Sequence, residues 1–149
     1  MASGKLQLRI LTADEVKVDE PVDMIIMRCI MDVMGKHSAV GDLGILPGHM
    51  PLTGVLGISP LRIFDEGTER RIALFGGIAT VRDDVVTLMT EQAFWPEEID
   101  EQQAREAREL AERELEALED DTNLRAGQIA FRRALVQVEV SSYPLIGRR

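Results

Sequence analysis

Apolar and polar positions alternate along the first two-thirds of the chain in short runs separated by turn residues. The alternation at 6–10 has the period of a half-buried strand. Later apolar runs flank the turn residues 65–68 and the aspartates 83–84, and each pair of runs predicts a hairpin. Strands recurring about every ten residues predict an all-β region, an antiparallel β-sandwich or flattened barrel, over residues 1–94.

The stretch 41–61 is unusually apolar, and Asp42 is its single Asp, Glu, Lys or Arg. Its length approaches the roughly 20 residues of a membrane helix, but three prolines and several glycines would break such a helix repeatedly. We therefore predict short buried strands joined by tight turns. Whatever part of this stretch faces outward needs cover, either from the core of the chain or from a partner protein.

The pattern changes at Pro96, beyond which Ala, Glu, Arg and Leu dominate. Asp100 is a suitable N-cap residue and Gln103 stands at the capping-box position. These signals predict a first helix over about 100–119, with an alanine and leucine stripe on one face.

A second helix is predicted over about 124–140, after a turn at 120–123, so that residues 95–149 form an antiparallel helical hairpin. The first helix is rich in acids, whereas the second carries Glu139 as its one acid. Its basic residues are Arg125, Arg132 and Arg133. The two helices either present separate solvated faces or pair by charge across the hairpin.

The 149-residue chain has a net charge of -9, which argues against charge-driven binding to nucleic acid or to an anionic membrane surface. We find no secretory signal and no uninterrupted membrane helix in the sequence. Cys29 is the single cysteine, which excludes an internal disulfide. Its apolar neighbours indicate a buried strand thiol more than a redox or catalytic one.

Few residues of this chain suit catalysis or metal binding. Two histidines and one cysteine barely reach the three or four ligands of a zinc site, and neither a Gly-x-Ser-x-Gly elbow nor a Walker-type phosphate loop is present. We therefore expect no catalytic residue, no metal and no cofactor. Two alternatives stay open: a ligand-binding sandwich that dimerises through its helices, and an enzyme that uses Asp42, His49 or Cys29.

The run Gly41-Asp42-Leu43-Gly44-Ile45-Leu46-Pro47-Gly48-His49-Met50-Pro51-Leu52 resembles the signature of the epsilon subunit of bacterial F-type ATP synthases. Supporting segments follow in the family's order at 60–63, 76–81, 85–90, 97–100 and 133–135. The resemblance implies a sandwich followed by a movable two-helix arm. It also implies a non-catalytic subunit of the central rotor stalk, placed between the gamma subunit and the c-ring at the cytoplasmic face of the bacterial membrane. Membrane association would then come only through the complex.

The resemblance also implies roles for single residues. Asp42, His49 and Met50 match the part of the family that faces gamma and the ring. The alternative for His49 is a turn residue whose ring is hydrogen-bonded to the backbone. In the family, the arm inhibits ATP hydrolysis when it extends along gamma and reaches the alpha and beta subunits. Arg125, Arg132 and Arg133 would suit contact with acidic beta segments, because arginine binds carboxylates bidentately.

Two departures from the family pattern are visible. Some members bind ATP in the folded arm, but here the corresponding residues are Ile99, Asp100, Gln103, Arg133 and Gln137. Glutamine replaces arginine at Gln103 and Gln137, which removes two charge-assisted phosphate donors, so ATP binding is not expected. The segment 28–40 is also longer than usual, and it would either lengthen a hairpin beside the ring-facing loop or form an ordinary surface insertion.

Overall fold

The computed structural model describes the backbone of residues 4–33, 36–118 and 121–143, and the side chains of these residues apart from 31–40 and 121–122. Eight strands in the described ranges precede two helices. The strands are β1 Leu6–Leu11, β2 Val16–Val22, β3 Met24–Val33, β4 Lys36–Ile45, β5 Leu52–Asp65, β6 Thr68–Arg82, β7 Val85–Met89 and β8 Ala93–Phe94. A 3₁₀ turn at Pro96–Glu98 leads into α1 Glu101–Ala117, and α2 spans Asp121–Ser141.

The strands pair in the order β2-β1-β7-β6-β5-β3-β4, and β8 pairs with β6. β2 and β4 end this path, so the sheet does not close into a barrel. The predicted sandwich followed by helices is confirmed. Among the described pairs β1 and β7 run parallel, unlike the antiparallel neighbours elsewhere. They are far apart in sequence, so no hairpin turn forces opposite directions.

Alternation along the strands places one set of side chains inside the sandwich. The buried core includes Leu6, Leu8, Ile10, Val22, Ile25, Met27, Ile45, Leu61, Ile63, Ile72, Leu74, Val86 and Leu88. Cys29 is also buried, and burial raises the pKa of its thiol. A thiol that is harder to ionise is a poor nucleophile, so the buried strand thiol is the interpretation that the structure supports.

Both predicted hairpins are present. Glu66 and Gly67 join β5 to β6 with φ of 50° and 76°, and Asp83 and Asp84 join β6 to β7 with φ of 49° and 61°. Positive φ at both central residues is the type I′ turn, whose twist matches that of the flanking strands. Aspartate and glycine tolerate this region better than most residues, so local sequence favours these turns at three of the four central positions, Glu66 being the exception.

The apolar stretch 41–61 contains one long strand, so the prediction of short strands is wrong. After β4 the chain turns at Leu46–His49, where His49 N donates to Leu46 O at 3.1 Å, and then β5 continues for 14 residues. β5 passes through Pro60 because its register with β3 shifts between Ile26 and Cys29. Pro60 lies opposite that shift, where its missing N–H interrupts no ladder with β3.

The segment 28–40 continues the β3–β4 hairpin. Backbone pairing extends from Ile25 and Ile45 outward to Val33 and Lys36, with a register irregularity after Cys29. Beyond the pairing of Ile30 with Val55, β3 has no recorded register partner in β5. The extra length therefore lengthens the hairpin, whose outer described part pairs β3 with β4 but not with β5.

The two helices follow the prediction with shifted bounds. Asp100 Oδ1 accepts a hydrogen bond from Gln103 N at 3.0 Å, which confirms the N-cap. α2 already includes Asp121, so the predicted turn at 120–123 is wrong for 121–123, while residue 120 lies outside the described residues. Ala107, predicted on the buried stripe, is exposed.

The helices contact each other along the hairpin, and the second half of α2 packs on the sandwich. A Cβ placed on Gly127 would lie 2.9 Å from Leu115 Cδ2, so this glycine allows close approach of α2 to α1. The described ion pairs of α1 connect residues four apart within the helix, and no described ion pair joins α1 to α2. Among the described residues, the charge pairing considered across the hairpin is therefore not observed.

None of the helices in the described ranges is long and apolar enough to cross a bilayer.

Candidate interaction surface

One face of the sheet carries a row of apolar side chains that solvent reaches. Cross-strand register aligns Val55 of β5 with Ile78 of β6, and Ile78 with Met89 of β7. Residues paired in this way share a face of the sheet, and these three are 53%, 47% and 46% exposed. The register continues from Met89 to Leu11 of β1 and from Leu11 to Val16 of β2, which is also exposed. We call these five residues the outer apolar row.

Uncharged side chains continue this surface on the next row. Thr53 pairs with Thr80 and Thr80 pairs with Thr87, whereas Thr87 pairs with the charged Arg9 of β1. A contiguous apolar face of this kind on a small domain marks a contact site for another macromolecule. Sequence analysis missed it because alternation predicts a polar outer face. The adjacent apolar residues at 55–56, 78–79 and 88–89 were the available signal, since strands covered on both faces lack alternation.

The turn after β4 is held by the turn between β6 and β7. Gly48 N donates to Asp84 Oδ1 at 2.6 Å, and Gln7 N donates to the Asp84 carbonyl oxygen at 2.8 Å. Asp83, in contrast, is exposed beside Arg82. Asp83 is therefore a solvated turn residue, whereas Asp84 connects its own turn to the turn after β4 and to β1.

The three predicted interface residues all reach solvent, and two of them also bond within the chain. Asp42 is register-paired with Arg28, whose Nε donates to Asp42 Oδ1 at 3.1 Å. His49 Nδ1 lies 2.7 Å from Met50 O. Because a carbonyl only accepts, this nitrogen carries the proton. Met50 is 72% exposed. The ring of His49 is therefore hydrogen-bonded to the backbone, as in the second interpretation. The exposed apolar side chain of Met50 lies beside it.

The arm meets the sandwich at a small apolar contact. Val136 and Val140 of α2 are buried against Ala73 of β6. Ile58, Phe94 and Ile99 pack around this contact. Because burying one valine contributes about 1.5–3 kcal/mol, a contact of this size stabilises docking without making it permanent.

A polar cluster lies beside this contact and centres on Glu69 of β6. Arg62 Nε donates to Glu69 Oε1 at 2.6 Å and Arg71 Nε donates at 3.0 Å. The hydrogen bond from Arg62, with further bonds from Tyr143 and Arg71, lowers the pKa of Glu69 from 4.5 to about 2. Burial, and then the bond to Glu69, raises the pKa of Tyr143. Glu69 therefore stays ionised at neutral pH and holds both arginines.

Of the residues at the positions that bind ATP in some family members, two already form hydrogen bonds within this chain. Asp100 caps α1, and Arg133 Nη2 donates to Glu91 Oε2 at 3.0 Å. Gln103 is exposed in the first turn of α1, whereas Gln137 is half-buried on α2. Neither glutamine brings a positive charge to this region.

Arg125 and Arg132, which were predicted to contact a partner, are exposed on α2. Neither forms an ion pair within the described residues. Both side chains reach solvent, whereas the guanidinium of Arg133 contacts Glu91.

The described residues contain no group of three or more His, Cys, Asp or Glu arranged to hold a metal ion.

Both parts of the fold match one protein family. Residues 5–96 match the β-sandwich domain of the ATP synthase delta/epsilon chain, and residues 97–142 match its long α-helix domain. The chain belongs to the ATP synthase epsilon chain family. The resemblance found in the sequence is thereby confirmed. Epsilon chains are non-catalytic subunits of ATP synthase, so the expectation that this chain is not itself an enzyme is also confirmed.

Bacterial epsilon chains are similar over most of their length. The epsilon chain of Bacillus velezensis is 33% identical over 136 residues, covering 91% of this chain and 96% of that protein. The epsilon chain of Caldicellulosiruptor saccharolyticus is 33% identical over 132 residues, covering 89% and 90%.

Solved mitochondrial structures share the fold. A chain of the Euglena gracilis mitochondrial ATP synthase, solved as an OSCP/F1/c-ring assembly, superposes with a TM-score of 0.75 at 27% identity, covering 91% of this chain and 80% of that one. A chain of the Tetrahymena thermophila mitochondrial central stalk and c-ring has a TM-score of 0.50 at 15% identity, covering 92% and 93%. The latter likeness concerns the fold alone.

Proposed function

We propose that this epsilon chain is a central-stalk subunit of a bacterial F-type ATP synthase that translocates protons or sodium ions. It links the gamma subunit to the c-ring at the cytoplasmic face of the membrane, and joins the membrane only through the complex. The similarity to epsilon chains over nine-tenths of the chain supports this, as does the likeness to a chain from an F1/c-ring assembly.

The outer apolar row is the observation that carries the proposed contact with gamma. Five neighbouring strands contribute one apolar side chain each, from Val16 at one end to Val55 at the other. A docked partner would remove this surface from water, which stabilises association in proportion to the apolar area covered. The adjoining threonines would tolerate either apolar or polar neighbours.

The end of β4 and the turn after it are the proposed contact with the c-ring. Met50 supplies an exposed apolar side chain, and Asp42 supplies a carboxylate that can exchange Arg28 for a basic residue of the ring. Because both members of the Arg28–Asp42 pair are more than 40% exposed, that pair contributes only about 0–1 kcal/mol. The exchange would therefore cost little.

The arm is proposed to inhibit ATP hydrolysis when it leaves the sandwich and extends along gamma toward the alpha and beta subunits. Its docking through one end of α2 supports this, since a small contact is easily reversed. Arg125 and Arg132 are already exposed, and Arg133 would become available on release from Glu91. All three would then face acidic segments of the beta subunits.

Co-purification tests the assignment as a stalk subunit. Tagged chain recovered from its native cells should bring down gamma and the catalytic head, and a preparation containing no synthase subunit would contradict the proposal.

Inhibition by the arm has a separate test. Truncation after Glu98 in the assembled synthase should raise the rate of ATP hydrolysis. The full-length double variant Arg125→Gln with Arg132→Gln should raise it in part, because it keeps the arm but removes its exposed charges. Unchanged hydrolysis in the truncated complex would overturn the inhibitory role.

ATP binding by the isolated chain is not expected, because Gln103 and Gln137 offer no charge to a phosphate. A calorimetric titration should show no saturable binding at micromolar ATP. The double variant Gln103→Arg with Gln137→Arg provides a positive comparison, and micromolar affinity in the unaltered chain would contradict this prediction.

A further inference from the structure

The contact between arm and sandwich has a cation on each of two flanks, one supplied by each partner. Arg133 belongs to α2 and reaches toward the sandwich, whereas Arg71 belongs to β6 and reaches toward α2. Val136 of the apolar contact lies between these flanks along α2, and Val140 lies next to Glu139 at the second flank. The two arginines therefore bracket the docked part of the helix.

Arg133 contacts the sandwich in two ways. Its Nη2 donates to Glu91 Oε2 at 3.0 Å, in the link between β7 and β8. Its guanidinium also lies 5.2 Å from the ring centroid of Phe75, within cation–π distance. Both contacts break if α2 moves away.

Arg71 makes the corresponding contacts in the opposite direction. Its Nη1 lies 3.6 Å from Glu139 Oε1, and its guanidinium lies 4.0 Å from the ring centroid of Tyr143. Glu69 holds the same guanidinium on the sandwich at 3.0 Å. Glu139 lies in the last turn of α2 and Tyr143 lies two residues beyond its end, so Arg71 contacts this end of the arm at two points.

We propose that Arg71 and Arg133 form an arginine clasp that sets the equilibrium between the docked and released arm. This inference rests on the proposed function for its regulatory meaning, but the clasp is a property of the chain alone. Each arginine combines a carboxylate with an aromatic ring. The ion pairs are partly exposed, so salt weakens them. The contacts with the aromatic rings still keep the two guanidinium groups oriented. Such a clasp is strong enough to favour docking and weak enough to open.

Matched double variants of the isolated full-length chain test the clasp. Arg71→Gln with Arg133→Gln removes it, and Arg105→Gln with Arg113→Gln removes the same charge from pairs internal to α1. Amide hydrogen exchange measured by mass spectrometry should accelerate about tenfold over residues 133–143 in the first variant only, which is the scale expected for two exposed ion pairs with ring contacts. Equal exchange in the two variants would overturn the proposal.

Arg71 also contacts Glu69 within the sandwich, so Arg71→Gln could destabilise the sandwich itself. A second variant controls for this effect. Glu91→Gln with Glu139→Gln weakens both flanks and leaves the arginines and Glu69 in place. Exchange over 133–143 should again rise, with β1 and β7 unchanged. A rise spread equally over sandwich and arm would indicate general destabilisation and would contradict a specific clasp.

Added salt and added nucleotide separate the clasp from a ligand-held arm. Raising sodium chloride from low to high concentration should accelerate exchange at 133–143 in the unaltered chain and much less in the clasp variant. Magnesium ATP should change neither. If magnesium ATP instead slows exchange in the unaltered chain, a bound nucleotide controls docking and the proposal fails.

The assembled synthase shows whether the clasp has a regulatory consequence. Arg71→Gln with Arg133→Gln would remove Arg133 from its contact with beta as well, so Glu91→Gln with Glu139→Gln is the variant to use there. It should deepen inhibition of ATP hydrolysis. If truncation after Glu98 leaves hydrolysis unchanged, the inhibitory role fails, whereas the exchange measurements still decide the clasp. If truncation raises hydrolysis but the Glu91 and Glu139 variant does not lower it, the regulatory meaning of the clasp is refuted.

Discussion

The amide of Gly48 donates a hydrogen bond to the carboxylate of Asp84 across 2.6 Å, between two turns that are separated by β5 and β6. Asp84 itself bends back with φ of 61°, and its carbonyl oxygen accepts the amide of Gln7. One residue therefore positions the turn that bears His49 and Met50 relative to the rest of the sandwich.

Asp84→Ala should destabilise the chain more than Asp83→Ala does. Both residues have positive φ, so alanine pays a similar backbone cost at each position and the difference isolates the Gly48 bond. A hydrogen bond to a charged acceptor that is partly exposed contributes about 1–2 kcal/mol. Urea unfolding of the two variants measures this difference, and equal midpoints would show that the Gly48 bond contributes nothing.

Gly77→Ala should prevent normal pairing of β6 with β7. A Cβ at this position would lie 1.9 Å from Met89 O, and the φ of +127° is unfavourable for any L side chain. We expect a loss above about 3 kcal/mol. Gly76→Ala is the control, because its φ of +75° carries strain but the nearest atom is 3.6 Å away. Thermal unfolding should rank the two variants in this order, and the opposite order would contradict the steric argument.

Stability should depend on pH through Glu69. Its pKa falls from 4.5 to about 2 on folding, so its contribution is fully present above the unfolded value and is lost as pH falls from about 4.5 to about 2. After allowance for solvent around Arg62, this amounts to about 2 kcal/mol. Glu69→Gln should flatten the stability profile in this window, whereas Glu109→Gln should not. Parallel profiles for the two variants would exclude Glu69 as the cause.

Ile78→Lys should weaken the proposed association with gamma by about a hundredfold, because it would bury an unpaired charge at the centre of the outer apolar row. Ile78 is 47% exposed, so the free chain should lose little stability. Leu110→Lys, on the similarly exposed surface of α1, is the control. Surface plasmon resonance on gamma measures both, and undiminished binding by the Ile78 variant would place the contact elsewhere.

Several features were predictable because they depend on neighbours in sequence. The Asp83–Asp84 and Glu66–Gly67 turns need residues that tolerate positive φ, and Asp100 caps α1 through an amide three residues away. The family motif at 41–52 was also readable directly. Each of these features is settled within a few residues, where backbone preference and local hydrogen bonding are sufficient.

Tertiary structure decided the rest, because those features depend on which distant strand becomes a neighbour. The parallel pairing of β1 with β7 aligns Leu11 with Met89 and completes the outer apolar row. The register of β5 lets a proline remain inside a long strand. The position of α2 brings Tyr143 over Arg71. Sequence alone determined the turns, the helix cap and the family. Only the folded chain decided which apolar residues stay exposed and which arginines hold the arm, since burial and ion pairing depend on contacts made across the whole fold.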